Sequence, residues 1–188
     1  MGIFIKKARE NESLVNIQEI CPSIKVEILY STRKNFCKKK IYKSKKALIR
    51  KAVAQKLALA QSLLKNEGFG LKIWDGYRSK EDHLKLYNLA KENEKKFFAE
   101  PFNGTGSLHS HGCAVDVTLI DLKGKNVRMP TDFDTFTDEA SVDYKGGDKI
   151  VEYNLIALQR AMQESGFFWL TLNWHYFVAN NFEEYSII

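Results

Sequence analysis

The chain has 188 residues, 44% hydrophobic and 28% charged, the proportions of one soluble globular domain rather than a disordered, collagen-like or disulfide-framed chain. Roughly 70% of the unfolded surface is buried at this length, so a core forms without a structural metal and any metal site is expected to serve chemistry. The net charge of +6 is lopsided: residues 1–65 hold 16 Lys+Arg against 4 Asp+Glu, and the remainder hold 13 against 19. The runs Lys38–Lys40 and Lys43–Lys46 have no interleaved aromatics and no recognisable nucleic-acid motif, so they read as a solvated face.

Three cysteines, Cys21, Cys37 and Cys113, fall at unrelated spacings, which predicts reduced thiols and a cytoplasmic setting. The apolar run near Met1–Lys7 is too short for a secretory segment, and Lys6 stands where a myristoylation signal at Gly2 needs Ser or Thr. No apolar run approaches the roughly 18 residues of a membrane span.

Alternation over Ile24–Tyr30 predicts a strand, followed by a polar loop over Ser31–Tyr42. From Ser44 to Glu67, Ala47, Leu48, Val53, Leu57, Ala60, Leu63 and Leu64 recur at helical spacing, and Gly68 and Gly70 end that helix. Gly70–Trp74 reads as a strand. Ser79, with Asp82 three residues on, reads as the N-cap of a helix reaching about Lys96. After a loop over Pro101–Gly106, Val115–Ile120 is the most apolar strand and Lys123-Gly124-Lys125 a turn. Met129–Lys149 reads as a long ordered loop, Tyr153–Ser165 as a helix stopped by Gly166, and Trp174–Val178 as a last strand. Helices and strands without βαβ repetition predict a single α+β domain over residues 1–188, with a central, mainly antiparallel sheet flanked by helices.

There are four histidines, His83, His109, His111 and His175. His109 and Asp116 lie seven residues apart across a glycine turn that feeds a strand, so they can converge on one cation. Imidazole and carboxylate are first-choice zinc ligands, and His175 in an aromatic strand is the natural third, leaving an open position for chemistry. Taken singly, His175 reads as a core histidine and Asp116 as a capping carboxylate, but a carboxylate inside Ala114–Leu119 needs a stronger reason. His83, in a polar helical stretch, reads as solvent-facing, and Arg78 alone reads as the partner of Asp75 or Asp82 in a surface ion pair.

The stretch Ser107–Asp116 resembles the SxHxxGxAxD signature of the zinc-dependent D-alanyl-D-alanine dipeptidases, the VanX type within the D,D-carboxypeptidase group. Tyr30–Phe36 resembles that family's YAT..NF segment and Gly68–Arg78 its GYGL..WDGYRP. Phe133-Asp134 with Asp138-Glu139 matches its FD..DE loop, and Ser165-Gly166-Phe167 with Trp174-His175-Tyr176 matches its SGF…EWWHY ending. The resemblance implies one Zn²⁺ per chain on His109, Asp116 and His175, with Arg78 hydrogen-bonding the oxyanion of the tetrahedral intermediate. It implies further that Tyr30, Ser107 and Asp134 line the site of a small dipeptide, Asp134 pairing its ammonium group. His111 stands where the family commonly carries Arg, which leaves it beside the site or on the surface.

One departure concerns the general base. The family's Glu stands three residues before the last ligand, whereas this chain reads Leu172-Asn173-Trp174-His175, one residue short after Gly166. A positioned base contributes typically 10²–10⁴ in rate. Two readings follow: a zinc dipeptidase with a substitute base, for which Glu152, Glu164 and Glu183 are candidates, or an impaired relative that binds zinc and peptide without turnover.

Overall fold

The computed structural model describes residues 12–101, 106–169 and 173–188, so the expectations for Met1–Lys7, for the loop interior at 102–105 and for Leu172 lie outside the described residues. In chain order the elements are β1 (Leu14–Asn16), α1 (Ile17–Ile20), β2 (Lys25–Val26), β3 (Leu48–Arg50), α2 (Lys51–Asn66), β4 (Phe69–Asp75), α3 (Lys80–Leu89), β5 (Ala114–Asp121), α4 (Lys149–Glu164), β6 (Phe167–Phe168) and β7 (Tyr176–Ala179). The fold is α+β, with a five-stranded sheet in the order β2-β4-β5-β7-β6 and a separate ribbon of β1 and β3. β2 runs parallel to β4; the other neighbours in the larger sheet are antiparallel. Among the described residues no helix is long and apolar enough to cross a membrane.

The apolar spacing of α2 turns Val53, Ala54, Leu57, Ala60 and Leu64 inward, and α4 buries Val151, Leu155, Leu158, Ala161 and Met162. These two helices pack on each other and on β4 and β5, sharing one core cluster with Leu71, Ile73, Val115, Val117 and Leu119. Each helix ends at a glycine in the left-handed region, Gly68 at φ 85° and Gly166 at φ 86°, where a Cβ is disfavoured.

Several boundaries differ from the sequence expectations. The stretch expected to open a helix at Ser44 instead contains β3, which pairs Leu48 with Asn16 and Arg50 with Leu14; this pairing across the chain overrides local helix propensity. Of Ile24–Tyr30 only two residues join the sheet, and a 3₁₀ turn over Leu29–Ser31 then carries Tyr30 inward. Ser79 does cap α3, its side chain accepting from Asp82 N–H at 3.1 Å. That helix stops at Leu89 rather than near Lys96, because Lys91–Lys96 has no apolar residue to extend its buried face. α4 starts at Lys149, earlier than expected, since Asp148 caps it by accepting from the N–H groups of Ile150 and Val151 at 3.0 and 3.3 Å.

Candidate metal centre and active site

β4, β5 and the start of β7 bring the site together. In β4 a bulge between Ile73 and Asp75 shifts the register, so that Ile73 pairs with Val117 but Asp75 pairs with Asp116. Without the extra residue Trp74 would oppose Asp116; with it, two buried carboxylates share one face. On the other side of β5, Asp116 pairs with Tyr176, and Val117 N–H donates to the His175 carbonyl at 2.9 Å.

His109 lies on a 3₁₀ turn over Leu108–His111. Ser107 caps that turn, accepting from His109 N–H at 3.3 Å, and Gly112 closes it at φ 69°. Gly76 lies at the edge of the imidazole: its carbonyl is 2.8 Å from His109 Nδ1, and a Cβ at this glycine would stand 2.9 Å from the Leu48 carbonyl oxygen. A carbonyl only accepts, so Nδ1 carries the proton and Nε2 keeps its lone pair, 3.5 Å from Asp116 Oδ2. Burial, then the Arg78 charge, lower the pKa of His109 and favour the neutral ring a metal needs. His175 Nδ1 meets the other carboxylate oxygen, Asp116 Oδ1, at 3.0 Å. Although burial alone raises the pKa of Asp116, His109, His175 and Arg78 hold it below its ordinary value.

Two imidazoles and one carboxylate are a zinc donor set by their chemistry, and His109 and His175 each approach Asp116. Among the described residues, the group whose ligand atoms all lie within 4.8 Å of one another is instead Asp75, His109 and Asp116. Asp75, however, already accepts four hydrogen bonds. Its Oδ2 accepts from Arg78 Nη2 at 2.6 Å, Arg78 Nε at 3.2 Å and Tyr42 hydroxyl at 3.0 Å, and its Oδ1 accepts from Gly76 N–H at 2.9 Å. This carboxylate therefore serves Arg78, which is 5% exposed and also lies 5.2 Å above the Tyr30 ring. The sequence alternative of a surface ion pair for Arg78 is corrected: the pair with Asp75 is buried.

Asp134 adopts φ 57°, a left-handed conformation rare for residues with a side chain and enriched at functional sites. Its carboxylate accepts from Tyr30 hydroxyl at 2.8 Å and Phe36 N–H at 3.1 Å, and among the described residues it forms no ion pair. Burial raises its pKa to about 6.

A cavity of about 1030 Å³ is lined by all seven residues expected from the sequence: Tyr30, Arg78, Ser107, His109, Asp116, Asp134 and His175. Asn173 lines it too, as do the carboxylate residues Glu100, Asp138 and Glu183. Of the three substitutes considered for the missing base, Glu183 is thus at the cavity, whereas Glu152 pairs with Lys149 on α4 and Glu164 ends that helix. His111 is tied back to the Tyr185 carbonyl at 2.6 Å. The expectation of a solvent-facing His83 is overturned: it is 2% exposed, and it lines the cavity. Tyr42, Asp75 and His83 escaped sequence reasoning as site residues. Only the i, i+3 spacing of Asp75 and Arg78 hinted at one of them.

Several known proteins resemble the chain over most of its length. The family model described as D-ala-D-ala dipeptidase matches residues 10–185. A D-alanyl-D-alanine dipeptidase of Escherichia coli (strain K12) is 25% identical, over 95% of this chain and 91% of that protein. One from Enterococcus faecium is 30% identical over 88% and 90%. A solved mutant of the vancomycin resistance D,D-pentapeptidase VanY in complex with Zn(II) covers 93% of this chain and 90% of that one, at 14% identity and a TM-score of 0.44.

Proposed function

The chain belongs to the D-ala-D-ala dipeptidase family, and from that premise we propose that it is a zinc metallopeptidase hydrolysing D-Ala-D-Ala or a similarly small dipeptide. The observation that carries this reading is the approach of His109 Nε2 and His175 Nδ1 to the two oxygens of Asp116, in the wall of a cavity that also holds Arg78 and Asp134. His109, Asp116 and His175 would hold the ion, which supplies the electrophilic charge that polarises a scissile carbonyl and acidifies water.

The protein's own groups do the rest. Asp134, half-buried and in no ion pair among the described residues, pairs the free ammonium of the dipeptide and fixes its N-terminal end. Tyr30 holds that carboxylate in place, and Ser107 fixes the turn bearing His109. Arg78, locked as a permanent cation by Asp75 and Tyr42, meets negative charge developing on the carbonyl oxygen. Glu183 takes the proton that the family's missing glutamate would take. Three free thiols accord with a cytoplasmic setting, where a dipeptide precursor of peptidoglycan would be the substrate.

Asn173 favours a second reading, in which the protein binds zinc and dipeptide without turnover, because an amide cannot accept the proton. Hydrolysis of D-Ala-D-Ala by the zinc-loaded protein, assayed with and without a chelator, decides between them. Chelator-sensitive turnover is expected; binding of dipeptide without turnover would select the second reading.

A further inference from the structure

His83 lies on α3 one helical turn beyond its Ser79 cap, buried, with each ring nitrogen engaged. Nε2 is 2.9 Å from the Ala99 carbonyl oxygen, and Nδ1 is 3.4 Å from Arg78 Nη1. The carbonyl can only accept, so Nε2 bears the hydrogen; in the neutral ring Nδ1 is then a bare acceptor facing a guanidinium N–H. Burial and the Arg78 charge, in that order, bring the ring's pKa to about 4, which keeps it neutral at ordinary pH.

Arg78 is thus held on several sides. Asp75 takes Nη2 and Nε, Tyr42 takes Nε, Tyr30 lies under the plane, and His83 faces Nη1. The first three engage Nε, Nη2 and the face of the guanidinium, and among the described residues His83 is the hydrogen-bond partner of Nη1. We propose that His83 is a positioning residue for Arg78, its Nδ1 fixing the Nη1 edge of the guanidinium toward the cavity while Nε2–H anchors the ring to the cavity wall at Ala99. The proposal rests on the reading of Arg78 as the oxyanion donor. It adds a device at a position where the residue types of α3 suggested only a solvent-facing polar side chain.

The two ring nitrogens can be separated by substitution. In His83→Asn the side-chain oxygen replaces Nδ1 and the acceptor facing Arg78 survives. In His83→Gln the amide nitrogen replaces Nε2, so the Ala99 anchor survives and the acceptor is lost. Zinc-loaded wild type, both variants and Arg78→Ala are titrated calorimetrically with a phosphinate analogue of D-Ala-D-Ala, whose charged tetrahedral centre imitates the intermediate, and the KM for D-Ala-D-Ala is read from its hydrolysis. Melting temperatures report folding. Expected are a phosphinate affinity roughly 10-fold weaker in His83→Gln, near-native affinity in His83→Asn, and an unchanged KM for the dipeptide in both. Nitrogen shifts of the metal-free protein should show His83 protonated at Nε2 only. Equal behaviour of Asn and Gln, or a proton at Nδ1, overturns the positioning role while the reading of Arg78 stands. Unchanged phosphinate affinity in Arg78→Ala, or no phosphinate binding by the wild type, overturns both.

Discussion

Asp75 and Asp116 stand opposite each other on β4 and β5, two carboxylates 0% and 4% exposed, and each meets a different set of side chains. Like charges in such a pair repel, so each needs its own partners: Arg78 and Tyr42 for Asp75, His175 for Asp116. Arg78→Ala therefore leaves Asp75 buried without a cation and should cost about 3–5 kcal/mol in urea unfolding. Adding Asp75→Asn to that variant should restore part of the loss. An Arg78→Ala protein as stable as the wild type would contradict the compensation.

The same partition decides which carboxylate meets the metal. Asp75→Asn should keep close to one zinc per chain, whereas His109→Ala, Asp116→Asn and His175→Ala should lose it, as elemental analysis can establish. At free zinc about 1,000 times the dissociation constant, the bound ion adds about 4 kcal/mol of stability, so chelation should lower the melting temperature. Zinc lost from Asp75→Asn and kept in His175→Ala would exchange the two residues' roles.

If Glu183 accepts the proton, Glu183→Gln should lower kcat by roughly 10²–10⁴ with dipeptide affinity little changed. An unaltered kcat would remove Glu183 from the mechanism and turn attention to Glu100 and Asp138, which share the cavity wall.

Asp134 should make dipeptide binding fail in acid. Its carboxyl, raised by burial to about 6, is ionised above that pH and neutral below it, so ammonium pairing is present at pH 7–8 and lost as pH falls through 6. Unfolded, it ionises nearer 3.8, so raising the pH from 4 to 6 should cost the folded state about 2 kcal/mol. Asp134→Asn, which tolerates the left-handed backbone, should flatten both profiles and weaken binding throughout. A dipeptide affinity independent of pH between 5 and 8 would refute the pairing.

The three thiols should differ in reactivity. Cys113 is fully buried and its thiol is pushed up to about 12, chiefly by desolvation, while Cys21 and Cys37 are half-buried. A maleimide reagent should label Cys21 and Cys37 in the native state and Cys113 only after unfolding, as peptide mapping would show.

Elements whose pattern and packing agree were legible in the sequence: β5 from an apolar run interrupted by Asp116 and Thr118, α2 over Val53–Leu64, and the Ser79 cap. The residues that the family resemblance singled out, Tyr30, Arg78, Ser107, His109, Asp116, Asp134 and His175, all line one cavity. Less legible was whatever depends on partners distant in the chain. Leu48–Arg50 has helical neighbours yet pairs with Leu14–Asn16, and His83 is buried only because Ala99 and Arg78 converge on it. The β4 bulge leaves no periodic trace, so the role of Asp75 emerged only with the register.

Arg50, 3% exposed, donates to three backbone carbonyls: His111 at 2.7 Å, Glu12 at 2.8 Å and Ser186 at 2.6 Å, partners 61, 38 and 136 residues away. One side chain thus joins the turn bearing His109 to segments near both ends of the described chain. Contacts of such separation form late in folding, because their loop-closure entropy must be met first. Refolding followed through zinc uptake should consequently lag behind refolding followed through the helical signal of α2 and α4, the metal centre maturing after the scaffold that carries it.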